Sequence, residues 1–314
     1  QRFLCFILNK FYFLSHLQAR MTNTQKGRYI AELLGLWVLM LVCWTVYRQV
    51  SLPYIEPSGS MKFYLAQFIF QPMIFLSPIF LYWKFVLKET ATPVRFFSEH
   101  STKNSFVFRA LVIGIVLIII ELILLLSIQY PIFNSGLFGS TELEFDFGFL
   151  DTESWSHYLV MALTNLLIVA VVEEFVFRGF FQNQFEKVLP KWQSLALASI
   201  LFGLIHLPIA IIVYELEGLW LVYSLIEWIG AGMIFGYAYQ ISRNIWVPIF
   251  WHGLHNVLIG TFAWRFVLEK VPSETVIFSV ITLEKIVYFT IIILLLYALR
   301  KRFQNPEIYT ISQN

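Results

Sequence analysis

Charge is scarce in this chain: 13% of its 314 residues are Asp, Glu, Lys or Arg, against roughly 25% in an ordinary soluble domain. Lys and Arg number 22 and Asp and Glu 20, so the net charge is +2 and no basic stripe of the kind nucleic-acid binding needs is present. The two cysteines, Cys5 and Cys43, lie in apolar stretches with neither a Cys-x-x-Cys nor a nearby His, which argues against a disulfide framework or a structural zinc site. Internal repeats, low-complexity tracts and a soluble domain are also missing. What remains is hydrocarbon-compatible sequence, 58% hydrophobic with mean hydropathy +0.70. A water-soluble fold of this size does not hide so much apolar surface, so the expectation is an all-α, polytopic transmembrane helix bundle.

Apolar runs long enough to span a bilayer recur about eight times, near 30–47, 63–87, 106–128, 155–175, 193–213, 219–241, 245–263 and 276–299. Polar or Pro/Gly-marked breaks separate them. Lys and Arg counting orients the bundle. Lys26 and Arg28, the group Lys84 to Arg109, then Arg178, Lys187, Lys191, Arg243 and Arg300 to Arg302 collect on one side. The other side carries Arg48 and Lys62 and then the acidic run Glu142 to Glu153. Both termini are therefore expected in the cytoplasm. Residues 1–20 read as a doubtful extension ahead of Met21, and 21–314 as a single membrane domain.

Ionisable residues inside such spans are expensive, so each is a functional hypothesis. Three motifs concentrate them between residues 168 and 256. The first is Glu173-Glu174-x-x-x-Arg178, expected at the end of the fourth span. At about 100° per residue Glu174 and Arg178 share a face and pair, while Glu173 lies off that pair and is left for general-base chemistry. A charged helix end with an ordinary surface ion pair is the alternative. The second motif is Phe202-x-x-x-His206 within the apolar run Ala196 to Val213; a lone His there also fits a packing residue. The third is His252-x-x-x-Asn256, two hydrogen-bond donors on one face that suit a developing oxyanion. His255 leaves a second option, since His252 and His255 at i, i+3 can share a face as metal ligands. Taken together, on three different spans, the motifs are hard to explain as packing.

This set resembles the CPBP or Abi family of intramembrane endopeptidases, which includes CAAX proteases and bacteriocin-processing enzymes. That family's pattern is Glu-Glu-x-x-x-Arg, Phe-x-x-x-His and His-x-x-x-Asn in this order, and the likeness covers about residues 155–263. The resemblance implies an eight-helix bundle with a cavity open to the cytoplasm and lateral access for a membrane-embedded or lipid-anchored peptide or protein. It implies that Glu173 and His206 activate a water, that His252 and Asn256 stabilise the oxyanion, and that Glu174, Arg178 and Phe202 support them. No cofactor is required by the motifs alone. Glu173, His206 and His252 would also form a two-His-one-carboxylate set for a divalent metal such as zinc, and no His-Glu-x-x-His decides between the two chemistries.

Two other functions fit the composition. One is a non-catalytic relative, a bacteriocin-immunity factor or membrane scaffold. The other is a proton-coupled transporter using Glu121, Glu173 and Glu227, although no inverted repeat supports it. The compact bundle and its aromatic richness suit a bacterial plasma membrane.

Overall fold

The computed structural model describes residues 22–55, 60–88, 104–136, 138–139, 141–146, 155–270 and 272–303. The doubtful segment 1–20 lies outside the described residues. Nine helices and one two-stranded sheet make up these residues. They are α1 (Asn23–Ile55), α2 (Met61–Tyr82, extended by a wider π turn to Leu87), α3 (Asn104–Phe133), β1 (Thr141–Asp146) and α4 (Trp155–Glu186). There follow α5 (Lys191–Leu204), α6 (Leu207–Ile212), α7 (Gly218–Ser242), α8 (Trp246–Thr261), β2 (Ala263–Leu268) and α9 (Glu274–Phe303).

Among the described residues, seven helical segments are long and apolar enough to cross a membrane: α1 to α4, α5 with α6, α7, and α9. The chain is an integral, multi-pass α-helical membrane protein. The eighth expected span, 245–263, is the 16-residue helix α8. At 1.5 Å per residue it is about 24 Å long, shorter than a hydrocarbon core of about 30 Å.

Two sequence expectations about depth are corrected. Glu173 and Glu174 do not end their span: α4 runs on to Glu186 through two π-helical stretches, Asn165–Val169 and Phe175–Gln182, that flank Ala170–Glu174. Amide side chains occupy carbonyls around these wider turns, as in Asn165 to the Met161 carbonyl, Asn183 to that of Gly179 and Gln182 to that of Gly236. Because the continuation is apolar and aromatic (Phe175, Phe177, Phe180 and Phe181 are all buried), its two neighbouring charges read as a terminus when they lie mid-helix.

The run Ala196 to Val213 is likewise not one helix. It turns at Ile205–His206, and Pro208, at the start of α6, lacks the N–H that would continue α5. These corrections agree with each other. By helical rise Glu173 lies about 20 Å from the Glu186 end of α4, and His206 about 20 Å from the Lys191 end of α5. The two ends are neighbours, since only a short turn joins them.

Close helix packing fixes the remaining geometry. A Cβ on Gly232 of α7 would sit 3.0 Å from Ser199 Cα of α5, and one on Gly253 of α8 would sit 2.9 Å from Leu166 Cδ2 of α4. The missing Cβ lets the helices approach this closely without displacing a neighbour. Arg243, just past α7, joins Glu186 at the end of α4 with 3.0 Å contacts. At the opposite ends, β1 pairs antiparallel with β2, with Asp146 opposite Ala263. This small sheet was not anticipated, because acidic Thr-Glu-Leu-Glu-Phe-Asp reads as a polar break.

Candidate active site

The site is built on five elements, α2, α4, α5, α7 and α8, and its centre is the Glu173 carboxylate, buried mid-way along α4. Glu173 Oε1 accepts a 2.8 Å hydrogen bond from Gln71 Nε2 of α2. Its second oxygen, Oε2, is buried with no hydrogen-bond partner. That oxygen stands 3.9 Å from His206 Nε2 and 3.8 Å from His252 Nε2.

Each imidazole is oriented through its other nitrogen. His206 Nδ1 lies 2.7 Å from the Phe202 carbonyl. That carbonyl is free because the His206 amide turns to Gly203 instead at the end of α5. A carbonyl only accepts, so His206 Nδ1 carries the proton and the neutral ring presents a bare Nε2. His252 Nδ1 lies 2.8 Å from Glu174 Oε1, and a carboxylate imposes the same tautomer. Flat aromatic faces fix both rings: Trp228 stacks on His206 at 4.9 Å and Phe235 on His252 at 4.9 Å.

Behind this layer Glu174 and Arg178 form the i, i+4 pair at 2.9 Å, with both side chains almost wholly buried. Arg178 also donates to the Gly232 carbonyl at 3.0 Å and lies over the Phe202 ring, its Cζ 4.4 Å from the centroid. Phe202 in turn faces both imidazoles edge-on, at 5.0 Å from His206 and 5.9 Å from His252. Asn256, one turn beyond His252 on α8, is half-buried.

The structure therefore brings Glu173, Glu174, Arg178, Phe202, His206 and His252 into one continuous assembly, with Asn256 at its margin. His255 belongs elsewhere. Its Nδ1 meets Glu121 Oε1 at 2.7 Å, and Trp251 donates to the other oxygen of Glu121 at 2.7 Å. His252 and His255 thus serve different carboxylates, which removes the pairing that would have made them joint metal ligands. Glu227 is paired with Lys285 at 2.8 Å. Glu121 and Glu173 are hydrogen-bonded by different side chains, His255 with Trp251 and Gln71 respectively. Gln71, Trp228 and Phe235 were not foreseen, since an amide or an aromatic ring in an apolar run is indistinguishable from packing.

Among the described residues no group of His, Cys, Asp or Glu is arranged to hold a metal ion. Zinc bonds of about 2.0–2.1 Å in a tetrahedron bring ligand atoms to about 3.4 Å from one another, and separations of 3.8 and 3.9 Å are wider than that. A water at hydrogen-bond reach of about 2.8 Å from each atom fits the same gap.

A buried carboxylate thus faces two oriented imidazoles inside a membrane bundle. Residues 155–258 match the family described as Type II CAAX prenyl endopeptidase Rce1-like; this is the CPBP/CAAX protease family that the three motifs resemble. The match supports a CAAX-protease-like intramembrane endopeptidase in general terms. No curated protein and no solved structure matches the chain.

Proposed function

We propose that the protein hydrolyses a peptide bond in a membrane-associated peptide or protein, using a water activated by Glu173. The observation that carries this reading is the placement of two imidazole nitrogens, His206 Nε2 and His252 Nε2, within 3.9 Å of Glu173 Oε2. Glu173 Oε2 and His206 Nε2 face this point as acceptors, and a water brings a proton to each. Glu173 Oε2 takes one as general base and His206 Nε2 accepts a hydrogen bond from the other, which aims the oxygen lone pair at the substrate carbonyl.

His252 has a different task. With Nδ1–H committed to Glu174, it donates from Nε2 only as an imidazolium. In that form Nε2–H, together with the Asn256 amide, stabilises the oxyanion as water oxygen bonds to carbonyl carbon. The tetrahedral intermediate then expels the amine, which leaves with the proton held by Glu173. Arg178 and Phe202 keep Glu174 and the imidazoles in place.

The test is cleavage of a membrane-tethered peptide library by purified protein in liposomes, comparing wild type with Glu173→Gln and His206→Ala, with and without chelator. Loss in both variants with chelator harmless is the expected result. Loss on chelation assigns Glu173, His206 and His252 to a metal instead. No cleavage by wild type, together with variants that keep any cellular phenotype, turns the reading to a binding or immunity role.

A further inference from the structure

Among the described residues two arginines, Arg48 and Arg178, are buried, and they differ in one respect. Arg178 has an ion pair, a carbonyl and an aromatic face. Arg48 of α1 is 0% exposed, yet its Nε, Nη1 and Nη2 are all buried without a hydrogen-bond partner. Only ring faces accompany it: its Cζ lies 4.1 Å from the Trp44 ring centroid, 5.1 Å from that of Phe63 and 5.5 Å from that of Tyr47. Charge counting had assigned Arg48 to a loop, and this is corrected by its place within the long helix Asn23–Ile55.

An arginine cannot shed its charge, and it presents five N–H donors in a planar fork. Aromatic faces compensate only part of the cost of burying it, and Nε, Nη1 and Nη2 are left without a hydrogen-bond acceptor. Arg48 is electrostatically coupled to Glu173, to His206 and to the Tyr214 hydroxyl. By helical rise, and taking the Tyr29 to Gln184 hydrogen bond as the common level of α1 and α4, Arg48 lies about 12 Å past Glu173 along the bundle. The span of an arginine side chain and a few extended residues closes that distance.

We propose that Arg48 is the anion-recognition residue of the site: it receives a carboxylate of the substrate, bidentately, a few residues from the bond under attack. The inference rests on the hydrolase reading above. Guanidinium and carboxylate are matched in plane and spacing, and an acid seated there supplies the acceptors that the three guanidinium nitrogens of Arg48 lack. A chain-terminal carboxylate and an Asp or Glu side chain supply the same group.

The experiment uses full-length protein in liposomes and apolar nonapeptides carrying one carboxylate, at the chain end or on a central Asp, with the amidated or Asn counterpart as the neutral probe. Binding is read by Trp fluorescence in the Glu173→Gln variant, which keeps the measurement independent of turnover, and cleavage is read in wild type. The expected result is about tenfold to a hundredfold weaker binding of the neutral peptide. An equal loss is expected for the acidic peptide on Arg48→Met, with no further loss when both changes are combined. KM rises correspondingly, with kcat little changed. Whichever acid's neutralisation costs affinity identifies the source. Met is chosen because an apolar residue of similar length removes the buried charge without leaving a cavity, and Arg48→Gln is the second variant should Met fail to fold. The proposal is overturned if acidic and neutral peptides bind the Glu173→Gln protein equally, or if adding Arg48→Met weakens both to the same extent. If wild type cleaves nothing but the carboxylate preference persists in binding and vanishes in Arg48→Met, the hydrolase reading falls while Arg48 retains its anion.

Discussion

His252 Nδ1 and Arg178 Nη1 both reach the same oxygen, Glu174 Oε1, at 2.8 and 2.9 Å. One carboxylate therefore neutralises a guanidinium and sets the tautomer of an imidazole. Glu174→Gln removes the charge and leaves Arg178 buried without its counter-ion. The expected cost is about 3–5 kcal/mol of stability, read as a lowered Tm, together with loss of cleavage even in molecules that remain folded. Arg178→Lys does not restore either, since an ammonium cannot hold Glu174, the Gly232 carbonyl and the Phe202 face at once.

Glu173→Gln tests the chemistry with little change of shape. The rate is expected to fall by about 10²- to 10⁴-fold, the usual contribution of a general base, while thermal stability stays close to that of wild type. Exhaustive dialysis against a chelator is expected to leave the wild-type rate within about twofold. Parallel rate assays and melting curves separate these outcomes from unfolding.

Gln71 offers a subtler test. Its amide donates to Glu173 Oε1 from α2, and Gln71→Leu leaves that oxygen without its donor. A hydrogen bond to a charged group is worth about 1.5–3 kcal/mol, so the expected loss of rate is about tenfold to a hundredfold. Gln71→Glu places a second carboxylate against the first and is expected to be worse.

Gly232 supports the site in two ways. Its carbonyl holds Arg178, and its missing Cβ lets α7 lie on the Ser199 backbone of α5. Gly232→Ala is expected to cost about 1–3 kcal/mol by overpacking and to lower activity beyond what instability explains, because the shift carries the carbonyl away from Arg178. A melting curve beside kcat measured well below Tm checks both parts.

The parts of this site that spacing encodes were legible in the sequence. Glu174 and Arg178 pair because four residues make roughly one turn, and charges in apolar runs announce themselves by their cost. Depth was not legible. Phe175 to Gln182 continue α4 in a π-helical form that no periodicity of 3.6 reveals, and a proline two residues after His206 was read as part of a run instead of its end. Partners distant in the chain were also invisible: Gln71 reaches Glu173 across 102 positions, and nothing in the sequence around an amide states which carboxylate it serves. Arg48 was misread for the converse reason. A positive charge near the end of an apolar run ordinarily belongs to a headgroup region, and only the packed bundle shows it enclosed.

The short sheet has a consequence for how the molecule is organised as a polymer. β1 comes before α4 and β2 comes directly after α8, so the chain enters and leaves its chemical segment at one knot of backbone hydrogen bonds. That segment, which nearly coincides with the stretch shared with the protease family, is topologically a closed excursion, with α1 to α3 and α9 added on either side of the closure. Separations between Glu173 and the imidazoles are then set within a tethered ring, to which the flanking α2 and α3 add Gln71 and Glu121 as outside contacts.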